Sequence, residues 1–520
     1  MRYPLTLHTM LERARRYFPD KEIVSRTQAG LFRYTYRDYY ERTCRLASAL
    51  TELGVTRGQR VGTLAWNHHR HLEAYFAVPC MGASIHTVNL RLPPEHLTHV
   101  INHAGDQVLL IDADLVPLVE AVQAELKTVR AYVIMADGDL PETKLAPVYS
   151  YEQLLAEASP DFSFPTDVDE NEEAGMCFSS ATTGMPKGVS YSHRAIYLHS
   201  TTICLADTIG ISEVDTVMPV VPMFHVNAWG LPFAAVWMGA KQVLPGPRPD
   251  AATLCQLIQS ERITLAAGVP TVWMGVLQAM EKGGYDLSSI TRAVCGGAAA
   301  PRALIEAYEQ KLGVPFLHAY GMTEAAPITH VARLKEKLQA EPVPQKMARK
   351  AKQGLLVPGL EMRVEREDGT EVAWDGKEMG EVVLRGPWIA DAYDQDERSR
   401  ATFRDGWYHS GDVATVDSEG YMQIVDRVAD LVKSGGEWIS TVDLENAIMA
   451  HPQVAEAAVV ACQHPKWQER PLACVVPKPG LEAELTAEAI RAFLKGMFAD
   501  WWIPDYVAFI VEVPKTSVGK

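Results

Sequence analysis

The 520-residue sequence has eight cysteines, Cys44, Cys80, Cys177, Cys204, Cys255, Cys295, Cys462 and Cys474, and no two of them form a C-x-x-C pair. That excludes a zinc knuckle and a dithiol redox motif. Scattered single thiols in a chain this long point to buried cysteines in a reducing, cytoplasmic compartment. The opening residues, Met1-Arg2-Tyr3-Pro4, lack the apolar core of a signal peptide. Basic residues are in deficit, with 49 Lys plus Arg against 65 Asp plus Glu and a formal net charge of −16. A general nucleic-acid binder needs a basic face, so that class is excluded, while a local cluster of donors for a small anion is not. One uncharged stretch, Val217 to Ala240, is long enough to span a bilayer. Pro219, Pro222 and Pro232 would break its helical hydrogen bonding repeatedly, so it reads as buried strands and loops. No transmembrane segment is expected, and peripheral membrane contact stays open. Internal repeats with a period of about 20–50 residues and low-complexity tracts are both missing.

What is present is ordinary globular composition, 47% hydrophobic and 22% charged. A chain of this length exceeds one ordinary core, so two or more domains are expected. The first half alternates apolar runs with helical patterns. Arg60–Trp66, Gln107–Asp112 and Ala131–Met135 read as strands, a stretch through Leu72, Ala74, Tyr75 and Ala77 as helical, and Leu115–Leu126 as a helix. This rhythm predicts an α/β fold of parallel, helix-covered sheets. The texture changes after about Leu355. Glu361–Glu365, a turn at Asp368-Gly369 and Gly380–Leu384 predict antiparallel hairpins in a β-rich subdomain. Beyond Asp426, Val442–Ala450 reads as helix, Val454–Cys462 as strand and Thr486–Phe498 as helix. The expected layout is a large N-terminal domain at 1–425, a hinge at 426–430 and a small mobile α+β lid at 431–520.

The chemistry concentrates first in Ser179-Ser180-Ala181-Thr182-Thr183-Gly184-Met185-Pro186-Lys187-Gly188. Four hydroxyls fall within five positions, followed by two glycines and a lysine. Glycines let backbone N–H groups turn toward an anion, hydroxyls donate to phosphate oxygens or ligate Mg²⁺, and Lys187 adds charge. The spacing is not that of a Walker A loop. Composition alone leaves two readings, a phosphate cradle and a polar surface turn.

This loop resembles the phosphate motif of the adenylate-forming superfamily, [ST]-[ST]-G-T-T-G-x-P-K-G, with Ala181 in place of the first glycine. Further motifs follow in that superfamily's order, and the resemblance spans nearly the whole chain. Tyr320-Gly321-Met322-Thr323-Glu324 resembles the motif that stacks adenine and holds Mg²⁺, with His318-Ala319 where Gln-Gly is usual. Trp407-Tyr408-His409-Ser410-Gly411-Asp412 resembles the motif whose aspartate accepts from the ribose hydroxyls. Asp426-Arg427-Val428-Ala429-Asp430 resembles the hinge, with Arg427 directed at the ribose. Lys433-Ser434-Gly435-Gly436-Glu437-Trp438 lies just beyond, where Trp438 walls a pantetheine tunnel or packs between domains. Pro514-Lys515-Thr516-Ser517-Val518-Gly519-Lys520 resembles the motif ending in the lysine that assists adenylation. Family members generally continue past that lysine, so the lid is expected to be cut short at its end.

Within the superfamily, Val221–Trp229, Ser434–Ser440 and His464–Pro471 are similar to bacterial medium- and long-chain fatty acyl-CoA synthetases. In those enzymes a tryptophan matching Trp229 gates the acyl tunnel, and core packing is the alternative for it. Amino-acid adenylation domains carry an aspartate after the phenylalanine of this segment. Here the residue is His225, which cannot serve as that counter-anion. Leu231, Phe233, Val269, Ala298 and Ala299 flank the expected pocket and suit an alkyl or aryl tail.

The resemblance implies an AMP-forming acid:CoA ligase using ATP, Mg²⁺ and CoA on a medium- or long-chain fatty acid, and working as a homodimer. An aromatic or short sulfur-containing acid, a luciferase-like acyl-adenylate oxidase and a weakened homologue are the alternatives. The implied catalytic residues are Lys520, Lys187, Glu324 and Thr183. Nucleotide and CoA contacts are implied at Ser179, Ser180, Thr182, Thr183, Gly184, Lys187, Gly297, His318, Ala319, Tyr320, Gly321, Thr323, Asp412, Arg427, Lys433, Ser434, Gly435, Gly436 and Trp438. Acid contacts fall at His225, Trp229, Gly230, Val269 and Ala298, and Mg²⁺ at Ser179 and Glu324.

Overall fold

A computed structural model describes residues 1, 3–179, 184–428, 430–434, 437–481 and 484–514. The chain separates into two compact units, Met1–Glu361 with Arg385–Tyr408, and Met362–Leu384 with His409–Lys520.

The first unit is built on two sheets. A seven-stranded sheet runs in the order Val148–Ser150, Ala131–Met135, Val108–Asp112, Arg60–Leu64, Ser84–Thr87, Glu173–Phe178, Gly188–Ser192. All of its neighbours are parallel except the last pair, which is an antiparallel hairpin. A nine-stranded sheet has Arg292–Cys295, Leu265–Gly268, Thr216–Pro219 and Lys241–Leu244 side by side at its parallel centre and antiparallel strands at both edges. Strands such as Ala131–Met135 and Val108–Asp112 are buried at every residue, as expected when helices cover both faces of a parallel sheet.

The helix His69–Cys80 is buried along its whole length, so its polar residues must be satisfied internally. Arg42 Nε donates to Glu73 Oε1 at 2.7 Å, and the Tyr151 hydroxyl donates to Glu73 Oε2 at 2.6 Å. Five of the cysteines are buried, three are half-buried, and none forms a disulfide.

Two expected elements come out differently. Leu115–Leu126 is not one helix but two 3₁₀ turns around the short helix Val116–Glu120. Pro117 restarts the chain at that helix's first turn, where its missing N–H does no harm. The uncharged run 217–240 resolves into the strand Thr216–Pro219, a tight turn and the eight-residue helix Leu231–Met238. Among the described residues no helix is long and apolar enough to cross a membrane.

Gly380–Arg385, Trp407–Val416 and Met422–Arg427 form a sheet with Glu361–Glu365 that falls mostly in the second unit, and Met422–Arg427 pairs antiparallel with Trp407–Val416. Gly369, at φ +79°, makes the expected turn in the left-handed region that glycine favours. A second sheet orders Glu437–Ile439, Val432–Ser434, Gln468–Pro477 and Val454–His464, with Tyr506–Phe509 parallel to Gln468–Pro477. The helices Thr441–Met449 and Ala487–Leu494 supply Leu444, Ile448, Ile490 and Leu494 to its core.

Candidate functional site

The phosphate-type loop joins the buried strand Glu173–Phe178 to its antiparallel return Gly188–Ser192. Two bonds tie its ends. Ser179 N–H donates to the Lys187 carbonyl at 2.9 Å, and Lys187 N–H donates to Ser179 Oγ at 3.3 Å. Gly184 adopts φ +77°. The expected contributions of Ser180, Thr182 and Thr183, like those of Gly435, Gly436 and Lys520, lie outside the described residues.

Lys187 and Glu324, 137 positions apart in the chain, meet through a residue that sequence reasoning missed. Lys187 Nζ donates to the Tyr393 hydroxyl at 3.1 Å, and that hydroxyl donates to Glu324 Oε1 at 2.7 Å. The ammonium also lies 4.2 Å from the centre of the Tyr393 ring, a cation–π distance. Burial pushes the Lys187 ammonium pKa down from its ordinary value, and the Glu324 charge opposes the shift. Burial and the same carboxylate push the Tyr393 phenol up, so it stays a hydroxyl that can accept and donate at once. No motif spacing marks Tyr393; it reaches the site because Asp394 N–H donates to the Gly188 carbonyl at 2.9 Å, pinning this turn to the end of the loop's return strand.

Glu324 follows the strand Phe316–Gly321, in a short turn Thr323–Ala325. A Cβ at Gly321 would come within 2.1 Å of the Pro327 carbonyl oxygen, so only glycine permits this crossing. The Tyr191 hydroxyl holds the Thr323 carbonyl at 2.6 Å, and Ala390 N–H holds that of Glu324 at 2.8 Å. Glu324 is buried, and Oε2 takes no hydrogen bond from the described residues. A carboxylate and a hydroxyl, such as those of Glu324 and Ser179, are the hard donor types Mg²⁺ prefers. Among the described residues no group of three or more His, Cys, Asp or Glu side chains could hold a metal by itself.

The His318 side chain is tied to the main chain. Its ring is buried and both nitrogens are committed. Nδ1 faces the carbonyls of Ala351 and Lys352 at 3.0 and 2.9 Å, and Nε2 accepts from Ala300 N–H at 3.3 Å. Burial pushes its pKa down, which keeps it the neutral ring this pattern requires. It therefore shapes the segment that carries Gly297 and Ala298. Ala319 is buried beside it, while Tyr320 is half-buried with its ring 5.8 Å from that of His330.

The expected acid contacts cluster in part. Val226, Asn227, Ala228 and Trp229 have φ of 46°, 53°, 47° and 60°, and Gly230 follows at 78°. Five successive residues thus wind in the left-handed sense, which costs a non-glycine residue roughly 1–2 kcal/mol. The turn lays the Trp229 indole against Gly296 and Gly297: a Cβ at Gly296 would sit 3.1 Å from Cη2, and one at Gly297 would sit 3.8 Å from Cζ2 and 3.3 Å from Val269 Cγ1. Gly230 packs on the His199 ring. His225 is half-buried and Ala298 exposed. Phe233 and Leu231 lie in the same core cluster as Trp229. Both are fully buried in the main core, with Phe233 5.1 Å from Tyr75 and 5.4 Å from Phe76.

In the second unit, Asp412 and Arg427 are cross-strand neighbours, with Asp412 Oδ1 3.3 Å from Arg427 Nε. Lys433 and Trp438 also face each other across a strand pair, the ammonium 5.8 Å from the indole centre. Lys433 Nζ donates to Glu367 at 3.1 Å. The Ser434 hydroxyl is buried and accepts from Arg470 at 3.0 Å.

Residues 11–394 match the AMP-binding enzyme family, and residues 443–520 match the C-terminal domain of AMP-binding enzymes. The chain belongs to the AMP-binding enzyme family. Among family members, it is 50% identical over 519 residues to a long-chain-fatty-acid–CoA ligase of Thermus thermophilus, covering 99% of this chain and 94% of that one. It is 42% identical over 523 residues to a medium-chain-fatty-acid–CoA ligase of Ectopseudomonas oleovorans, covering 100% and 95%. The crystal structure of an anthranilate CoA ligase in complex with anthranoyl-AMP superimposes with a TM-score of 0.86 at 26% identity, over 100% of this chain and 96% of that one.

Proposed function

We propose that this chain is an AMP-forming acid:CoA ligase acting on medium- or long-chain fatty acids. Full-length similarity at 50% identity to a ligase named for long-chain fatty acids carries the reading, and the Lys187–Tyr393–Glu324 chain supplies chemistry that suits it.

In the first half-reaction a carboxylate oxygen attacks the α-phosphorus of ATP and pyrophosphate leaves. The protein's part is positioning and charge neutralisation. Ser179, Thr183, Lys187 and the loop amides take the phosphates, Tyr320 and Gly297 the adenine, and Asp412 with Arg427 the ribose hydroxyls. Mg²⁺, held by Glu324 and Ser179, would neutralise phosphate charge. Tyr393 keeps the Lys187 ammonium from collapsing onto Glu324, so both stay available. Lys520 stabilises charge near the α-phosphate. In the second half-reaction the CoA sulfur attacks the acyl carbonyl and AMP departs, with Lys433, Ser434 and Trp438 assigned to CoA. Residues 426–430 are assigned as the pivot between the two steps; Asp426 is anchored there, its Oδ2 accepting from Thr441 N–H at 2.6 Å.

The Trp229–Val269–Gly297 surface is apolar, and burying an alkyl chain against it is worth about 0.8 kcal/mol per CH₂. That supports a fatty acid over a polar one. A panel of fatty, aromatic and sulfur-containing acids with ATP and CoA, scored by AMP release, tests the proposal. CoA-dependent turnover greatest with medium- or long-chain fatty acids is expected. AMP release independent of CoA would favour an acyl-adenylate oxidase, and none with any acid would favour a weakened homologue. The reading also carries a homodimer in a reducing, cytoplasmic compartment, on the resemblance to fatty acyl synthetases and on the unpaired cysteines; light scattering of the purified protein tests the former.

A further inference from the structure

Tyr393 joins Lys187 to Glu324 through one hydroxyl oxygen, so the pose of its ring decides whether both bonds form. A residue has two soft backbone dihedrals, φ and ψ, bounded by the peptide planes before and after it. At Tyr393 one side chain holds both planes. Tyr393 N–H donates to Ser399 Oγ at 2.9 Å, and the Ser399 hydroxyl donates to the Tyr393 carbonyl at 3.3 Å. A hydroxyl can accept and donate at once, so a single oxygen fixes φ and ψ of Tyr393 together.

The plane after Tyr393 is fixed again from its other end, because Asp394 N–H donates to the Gly188 carbonyl at 2.9 Å. The next carbonyl, that of Asp394, accepts from His103 Nε2 at 2.9 Å. His103 stands in the last turn of the helix Pro94–Ala104. The Asp394 carboxylate lies 3.3 Å from the same nitrogen and 3.4 Å from Arg60 Nη2, and Arg60 Nε is paired with Glu173 at 2.7 Å. Three successive peptides are thus pinned, to a nearby hydroxyl, a strand and a helix. The Tyr393 ring leaves them packed edge-on against Phe403, with ring centres 5.1 Å apart. The bond from Lys187 to its hydroxyl is 3.1 Å long. A displacement of about 0.5 Å would carry it past hydrogen-bonding distance.

We propose that Ser399 and His103 are positioning residues for adenylation, which set the main chain on either side of Tyr393 so that its hydroxyl meets the Lys187 ammonium and the Glu324 carboxylate together. The inference rests on the ligase reading, in which Lys187 and Glu324 serve the phosphates and Mg²⁺. Both residues act on main-chain groups, and neither is assigned to substrate.

The test is ATP–pyrophosphate exchange with a fatty acid, run beside thioester formation from supplied acyl-AMP and CoA. The proteins are the unsubstituted chain, Ser399→Ala, Ser399→Thr, His103→Ala and His103→Gln, with both alanine substitutions repeated on a Tyr393→Phe background. Loss of one or two main-chain hydrogen bonds should slow exchange roughly five- to tenfold in each alanine variant, with the thioester step unchanged. Thr keeps the hydroxyl and Gln keeps a donor, so both should restore most of the rate. On the phenylalanine background the hydroxyl to be positioned is gone, and neither alanine substitution should cost more than about twofold further. Exchange unchanged in an alanine variant would overturn the role of that residue. So would its full loss reappearing on the phenylalanine background, or equal loss in both half-reactions, since neither effect passes through the Tyr393 hydroxyl. An unsubstituted chain that forms thioester from acyl-AMP but exchanges no pyrophosphate would instead overturn the assignment of Lys187 and Glu324 to ATP.

Discussion

Replacing Tyr393 by phenylalanine removes one oxygen and keeps the ring. That oxygen accepts from the Lys187 ammonium at 3.1 Å and donates to Glu324 Oε1 at 2.7 Å, while the ring lies 4.2 Å from the ammonium. The substitution therefore spares the cation–π contact and deletes two hydrogen bonds to charged groups. Each such bond is worth about 1.5–3 kcal/mol. The loss is not additive, because without the hydroxyl the ammonium and the carboxylate are drawn to each other and recover part of it. A net cost of about 2 kcal/mol in the adenylation transition state corresponds to roughly a thirtyfold loss in rate. Pyrophosphate exchange at saturating acid measures it, and thioester formation from supplied acyl-AMP is the internal control. Exchange by the phenylalanine variant within twofold of the unsubstituted chain would refute the argument. Equal loss in both half-reactions would assign Tyr393 to folding alone.

Further expectations concern acid stability, the second unit and the pocket. Burial holds His71, His199 and His330 down to about 3 and His193 to about 4. They stay neutral in the folded chain while the unfolded chain takes up protons near pH 6.5, so stability is full above that pH and falls as pH drops toward 4, by about 1.4 kcal/mol per unit for each histidine; a urea midpoint flat between pH 7 and 5 would refute this. Burial, with Asp426 and Asp430 adding, raises the Glu445 carboxyl to about 7. Its favourable contribution is present below pH 4.5 and lost as pH rises through 7, so Glu445→Gln should stabilise the second unit at pH 8 by about 1–2 kcal/mol after allowance for partial exposure and should do little at pH 4.5. The amide still accepts from Val459 N–H at 2.8 Å; equal urea midpoints of the two proteins at pH 8 would count against it. Trp229→Ala opens the surface over Gly296 and Gly297 and should shift acid preference toward longer or bulkier chains, with an unchanged acid profile leaving Trp229 a packing residue.

Periodic features were the most legible in the sequence. Ala131–Met135 and Glu361–Glu365 form strands at the expected residues, because continuous apolar runs and turn-bounded alternation each admit one burial pattern. Leu115–Leu126 was misread because helical spacing outweighed Pro117. Lys187 and Glu324 stood out as members of ordered motifs, whereas composition alone could not separate the loop from a polar turn. Tyr393 was invisible because its partner Lys187 lies 206 residues away and the pairing depends on a main-chain bond between two loops. The main-chain bonds of His318 were equally invisible: three main-chain groups from two other segments use both of its nitrogens.

The left-handed turn from Val226 to Gly230 stores free energy where the acid is expected to bind. Four non-glycine residues at roughly 1–2 kcal/mol each amount to several kcal/mol, held in place by packing that includes the Trp229 indole and the His199 ring. Glycine at position 226 or 228 would relax that tension, and the protein would become harder to melt. It would also let the indole settle in more than one place and blur the choice among acids. Selection for heat resistance and selection for discrimination would then pull these five residues in opposite directions, which makes them a poor place to engineer one property without surrendering some of the other.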